Sequence, residues 1–356
     1  MNMNPNSLFQ FQEEQKKIFA MLPPLKSKYI DYSEISFSGK SSHKAVFHLK
    51  GLKGDDLKKA IEKDSSILSY FNEAVLDQGL LYIHAYFDLG KYFLIEKDGD
   101  YEILVEGNGE DVVKNLIVVG KGISCRIFFK TLGKGDLHIS NSFYVEEKSE
   151  CKVGVLNSFD GNLFLYNRGF VEAESMLDFY HASFSRSLER VFHEIYFIGD
   201  KARGNIFDLY FCGGQMDLNS RVYCKSRMNR SYLLSKGLVD SLGKVYFEGY
   251  AKIDNHADGA DLFVGEHAIV LNKGAKANLV PNLEIENNNV KAGHAASVQQ
   301  FDEEKLFYMQ SRGLSEAQCK KLLIDGFLMS VIEKMEIPIL QEEIQRRLQE
   351  HDAENL

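Results

Sequence analysis

Between Leu80 and about Val298 the chain carries short apolar stretches in close succession, with no helical interruption, and this restricts the fold more than any other feature. LLYIHAYFD, KYFLIEKD, YEILVE, NLIVVG, CRIFFK, LHISNSFYV, KVGVL and NLFLYN follow one another. Gly, Asn or Asp bounds each run, as at Gly107-Asn108-Gly109, Gly133, Gly135 and Asp160-Gly161. Such runs read as β-strands, and many of them at even spacing fit a sandwich, a barrel or a β-solenoid. A single sandwich of about 100 residues cannot hold roughly two hundred residues of strand. A stacked solenoid can, because each coil buries its face on the next. No strict repeat is visible, so length and strand density carry this choice.

Helical periodicity flanks the strands on both sides. Leu8, Phe11, Ile18, Phe19 and Leu22 recur at helical spacing before Pro23-Pro24, and an extended piece is expected from Lys44 to Leu49. Asp55 or Asp56 can cap a helix bearing Leu57, Ala60 and Ile61, and Ser65 another through Ile67, Phe71 and Val75. After Phe301 helices return. Ser315-Glu316-Ala317-Gln318 fits a capping box ahead of a stripe of Leu322, Leu323, Phe327, Leu328, Val331 and Ile332. Pro338 is expected to end that helix, and a last one carries Leu340, Ile344 and Leu348. These stripes are too small to form a core of their own, so they must pack on the β body or on another protein. The reading is a mainly β chain with an N-terminal helical region (1–78), a β core (79–298) and a C-terminal helical domain (299–356).

Composition excludes several functions. The 25 Phe and 17 Tyr, without Trp, suit a β interior filled by rings. A formal net charge of -9 argues against nucleic acid as a partner, since phosphate contacts need clustered Lys and Arg. No run is apolar and long enough to span a membrane. The start, MNMNPNSLFQFQEEQKK, does not read as a secretory signal, and the five scattered cysteines read as reduced thiols in the cytoplasm.

Four places invite a chemical reading. Ser38-Gly39-Lys40-Ser41 resembles the end of a phosphate-binding loop, but Glu34 stands where that loop needs glycine, so a plain loop is expected. Asp254, Asp258 and Asp261, with His256, could hold a hard cation or serve a carbohydrate-active β-helix enzyme. A charged solvent face around Gly259 explains them more simply. Cys212 before Gly213-Gly214 looks like a nucleophile turn, but strands on both sides make it a turn thiol. His294 lies between Gly293 and Ala295, near the change from strand to helix, where a neutral imidazole can ligate a metal. A lone histidine is more commonly structural, so its surroundings must decide.

The stretch PNLEIENNNVKAGHAASVQQFDEEKLFYMQSRGLSEAQCKKLLIDGF resembles the closing motif of the SufB/SufD family of iron–sulfur cluster assembly proteins. The matching positions are Pro281, Leu283-Glu284-Ile285, His294-Ala295-Ala296-Ser297 and Leu306 to Gly313, with Val245 to Gly249 resembling the strand upstream. The resemblance implies a right-handed parallel β-helix flanked by helical N- and C-terminal regions. It implies a SufB-like scaffold and a SufC-like ATPase as partners, the second docked through C-terminal helices, with Leu306, Phe307, Tyr308, Arg312 and Phe327 as candidate contacts. It implies no tightly bound cofactor, but a transient iron–sulfur cluster at the subunit interface with His294 as one ligand. SufB-type chains carry a cysteine shortly before the proline. Here Lys273 to Ala277 hold none, and Ala292 and Ala295 stand beside His294, so the resemblance is to the non-catalytic SufD type. A SufB-like homodimeric scaffold is the competing reading within the family, and the isolated chain is expected to self-associate as a homodimer. Whether Cys125, Cys151, Cys212 or Cys224 takes part in sulfur transfer stays open at this point.

Overall fold

The computed structural model describes residues 7–21, 45–64, 66, 67, 70, 78–87, 89–300 and 303–355. Before the solenoid come α1 (Ser7–Met21), β1 (Val46–Lys50), β2 (Asp55–Asp56), α2 (Leu57–Lys63) and α3 (Gln78–Tyr86). Asp56 caps α2, its side chain accepting from the Lys59 amide at 3.0 Å. The loop at Ser38 to Ser41 lies outside the described residues, as does most of the helix expected from Ser65 through Phe71 and Val75, of which only Ser66, Ile67 and Tyr70 are described, with Ile67 buried.

One expectation is overturned at α3. LLYIHAYFD reads as a strand, yet it forms a helix. Leu80, Tyr82, Ile83, Ala85 and Phe87 are all buried, as is His84. A run that is apolar all round carries no period to separate strand from helix. The helix is wedged between α1 and the first strands of the solenoid, and the Tyr82 hydroxyl donates to Glu110 at 2.8 Å.

The solenoid opens with β3 (Lys91–Ile95) and three long strands, β4 (Gly99–Val119), β5 (Ser124–Val145) and β6 (Glu150–Val171). The glycines taken as strand boundaries instead bend these strands from one face of the solenoid to the other. Gly133 and Gly135 sit at φ +105° and +103°, and a Cβ on Gly133 would lie 1.8 Å from the Gly107 carbonyl oxygen, so only glycine fits the corner. Beyond β6 each face has its own strands: β7 (Met176–Ser185), β9 (Ile206–Cys212), β11 (Arg230–Val239), β13 (Asp261–Val270) and β15 (Lys291–Gln299) on one, and β8 (Leu188–Phe197), β10 (Gln215–Cys224), β12 (Lys244–Ile253) and β14 (Lys276–Ile285) on the other. All stack in parallel register, about 8 turns in all. The expected mainly β solenoid with flanking helices is what forms.

Alternation places every second side chain in the lumen. Phe129, Val155, Phe179, Leu218, Phe247 and Val264 belong to that interior core. Outside, α1 to α3 cover the first coils of the second face over Val112, Leu116, Phe164 and Phe192. On the first face lie α5 (Glu316–Ile332) and α6 (Pro338–Asn355), preceded by α4 (Glu303–Ser311). Ser315 and Gln318 form the anticipated capping box. Pro338 does not end α5, which stops at Ile332. It opens α6, where its missing N–H costs no hydrogen bond. Leu328, Val331, Ile332, Ile337, Leu340 and Ile344 bury against Leu156, Tyr180, Phe207 and Leu234 of the solenoid. Lys130 pairs with Glu343 of α6 at 3.0 Å, and Lys152 with Glu336 in the connection before it at 2.7 Å, fixing this end of the chain along the face. No described helix is long and apolar enough to cross a membrane.

Candidate functional site at the open end of the solenoid

Among the described residues the two faces end at β14 and β15, which pack across the lumen from each other. On β13, Leu262 and Val264 point into the core, and their ladder partners on β15 are Ala292 and His294. His294 therefore continues the inward row, one coil beyond Val264. With no coil stacked over it, it is exposed. It lies inside the last strand, not past its end. Opposite, Ala277, Leu279 and Leu283 on β14 sit half-buried above the core residues Val245, Phe247 and Ala251. Pro281 follows Gly249 in the same ladder. Ile285 and Val298 are 45% and 49% exposed on this rim, so the end presents apolar surface around the imidazole.

One coil below the rim sits a group that the sequence reading missed. Glu266 is fully buried, and its ladder partner on β15 is Ala296, two residues from His294. Its Oε1 accepts from the Gly249 amide at 2.7 Å, while Oε2 has no hydrogen-bond partner. Burial pushes its carboxyl up to about 8, and the charge of Glu248 adds to this. Glu266 belongs to an inward polar column, His181–Asp208–Ser235–Glu266, and a second column, Asn115–Asn141–Asn167–His193–Ser220, lies across the lumen. Asparagine recurring at one spacing, 115, 141 and 167, was the signal that could have revealed it.

The other candidates separate. Asp254, Asp258 and Asp261 lie at the turn from β12 to β13, where Asp258 accepts from Asn287 Nδ2 at 3.0 Å. They are not among the described side chains that converge as metal ligands. All five cysteines are buried and free. Burial raises Cys212 and Cys224 to about 12, and Cys151 is raised by a hydrogen bond with Cys125 as well as by burial. Such thiols are poor nucleophiles near pH 7. On α4, Leu306 is half-buried while Phe307 and Tyr308 are exposed, and Arg312 donates to the Tyr308 hydroxyl at 2.8 Å. Phe327 is placed differently. It is half-buried against the solenoid, with the Lys236 ammonium 4.6 Å from its ring centre and donating to its carbonyl at 3.0 Å.

This is a parallel β-solenoid protein with helical elements before and after the coil and a histidine at its open end. Residues 104–327 match the family described as "SUF system FeS cluster assembly, SufBD core domain", and the chain belongs to that family. It is 35% identical over 168 residues to an iron–sulfur cluster assembly SufBD family protein of Mycobacterium bovis, covering 44% of this chain and 42% of the relative. A protein of the same description from Mycobacterium leprae is 34% identical over 165 residues, with the same coverage. One from Staphylococcus haemolyticus is 26% identical over 163 residues, covering 45% of this chain and 35% of the relative. The match thus spans less than half of these relatives' length.

Proposed function

We propose that this chain is a non-catalytic SufD-like subunit of a cytoplasmic iron–sulfur cluster assembly complex. It pairs the open end of its solenoid with a SufB-like scaffold and docks a SufC-like ATPase through its C-terminal helices. The supporting observation is His294, in the inward row of the last coil and exposed at an apolar rim, in a chain of this family. A nascent cluster is the cargo of such an interface, and His294 supplies one imidazole ligand. The partner supplies the thiolates, since neither β14 nor β15 contains cysteine and the five thiols of this chain are buried elsewhere. The same absence disfavours a SufB-like homodimeric scaffold. Phe307 and Tyr308 on α4, with Arg312 in the turn just after it, offer an exposed aromatic and cationic patch for the ATPase, with Leu306 half-buried beneath them. Phe327 acts from below, holding α5 on the coil.

Co-expression with SufB- and SufC-type partners tests the reading. The wild-type chain co-purifies with both, and His294→Ala keeps the complex but loses cluster formation. Normal cluster formation by His294→Ala removes the ligand role, and failure of the wild type to co-purify removes the partners.

A further inference from the structure

Among the described residues, one group of imidazole and carboxylate side chains converges closely enough to hold a metal ion, and it lies deep in the lumen, several coils from the rim. It consists of His181 on β7, His193 on β8 and Asp208 on β9, all fully buried. Asp208 Oδ1 is 3.1 Å from His181 Nδ1 and 3.7 Å from His193 Nε2, and the three donor atoms lie within 4.8 Å of one another. An ion about 2.1 Å from each nitrogen or oxygen ligand holds its ligands roughly 3.0–3.5 Å apart. The two distances to Asp208 already fall near that range, and the widest pair, up to 4.8 Å apart, has to approach by about 1.3 Å for the group to close around one.

Several features favour an ion over a purely hydrogen-bonded cluster. His193 Nε2 is buried with no hydrogen-bond partner, and 3.7 Å to Asp208 is too long to be one. The far nitrogen of each ring is held by an asparagine: His181 Nε2 is 3.1 Å from Asn157 Nδ2, and His193 Nδ1 is 3.3 Å from Asn167 Nδ2. Metal-ligating histidines are oriented in this way through the nitrogen that does not bind. Ser220 Oγ donates to Asp208 Oδ2 at 2.7 Å, which leaves Oδ1 for the ion. A divalent ion would also balance the buried carboxylate of Asp208.

Binding requires both ring protons on the nitrogens away from the ion, so the two amides must turn their oxygens to the rings. Turning Asn157 keeps its contact with the Thr131 hydroxyl, which accepts as well as donates, and gives up the hydrogen bond its amide makes to Glu189. Asn167 ends a ladder in which Asn115 donates to Asn141 and Asn141 to Asn167, each at 2.8 Å. Reversing all three amides keeps both of those bonds. It gives up only the bond from the Lys91 amide to Asn115 Oδ1 at the far end, a small loss beside a three-ligand ion site.

We propose that His181, His193 and Asp208 form a buried structural site for a borderline divalent transition ion, Zn2+ or Fe2+, inside the solenoid. Two imidazoles and one carboxylate suit these ions better than Ca2+ or Mg2+. The proposal does not depend on the reading of His294.

The full chain, expressed in medium supplemented with Zn2+ and desalted, should carry about one equivalent of metal by mass spectrometry. X-ray absorption should show imidazole scattering at about 2.0–2.1 Å. His193→Asn removes one ligand and extends the asparagine ladder by a step, so the chain folds while bound metal falls roughly tenfold or more. His294→Ala keeps the metal, which separates this site from the rim. A wild-type chain without stoichiometric metal after growth in Zn2+ or in Fe2+ under anaerobic conditions overturns the proposal. So does His193→Asn that retains it. Should that variant fail to fold, absence of imidazole scattering in the wild type overturns it as well.

Discussion

Glu266 gives the sharpest stability test. Its carboxyl is buried, and its folded value of about 8 lies above the ordinary value of 4.5. The sign follows from linkage. Below about pH 4.5 the group is protonated in both states and does not affect stability. Between 4.5 and 8 the unfolded chain releases the proton while the folded chain keeps it, so stability falls by about 1.4 kcal/mol per pH unit. At pH 7 the accumulated loss is about 3 kcal/mol, and above pH 8 it levels off. Glu266→Gln keeps an oxygen for the Gly249 amide and removes the titration. The variant should match the wild type within about 1 kcal/mol at pH 5 and exceed it by about 3 kcal/mol at pH 7. Urea denaturation of both proteins at pH 5, 6, 7 and 8, followed by circular dichroism, measures the difference. A difference that does not change with pH refutes the argument, because it would mean that Glu266 is ionised in the folded chain or that its coil is already open.

Two further outcomes follow from the packing and the thiols. Leu340→Ala removes a fully buried side chain where α6 meets the coil and should cost about 2–5 kcal/mol, seen as faster trypsin cleavage in α5 and α6 while the solenoid resists. Unchanged cleavage would mean that α6 is held by its ion pairs alone. The five buried thiols should resist a thiol reagent at pH 7.5 in the native state and all react in urea. Rapid native labelling of Cys212 or Cys224 would contradict their raised values.

The solenoid was legible because its strands are dense and its interior demands apolar residues at every second position. The repeat itself was not visible, and the ladder shows why. The first coils step by 26 residues, as Gly99 pairs with Cys125 and Cys125 with Cys151, but Lys244 pairs with Lys276. Turns that lengthen along the chain blur any fixed period, while the inward pattern survives. His294 was legible as a candidate because small residues isolate it, and the turns around Asp258 because glycine and aspartate mark them. The polar interior was not, since Asn, His, Asp and Glu at such intervals read as surface residues until the coils are stacked. α3 was misread because burial on all sides erases the helical period in Leu80 to Tyr86.

The two ends of the coil are built differently, and this bears on what the rim can do. At the N-terminal end, β1 pairs antiparallel with the first half of β4, β3 pairs with its second half, and α2 is tied in by a hydrogen bond from Leu57 to the Gly90 carbonyl at 3.0 Å. Both edges of the first coil are thereby covered. At the other end β14 and β15 have no further strand beside them among the described residues, and unpaired edge strands are templates for another chain. Lys276, Lys291, Glu284 and Glu286 put charge at the strand ends, which discourages indiscriminate pairing but leaves the middle of each strand open. A strand added to β15 would have to keep the inward row in phase, because a slip of one residue turns every side chain to the other face. Only one phase buries Val298 and brings a partner's side chains over His294. If a partner pairs here as proposed, the register that selects it is the same register that places the imidazole, so Val298→Asp should lower both co-purification and cluster formation, whereas His294→Ala should lower cluster formation alone.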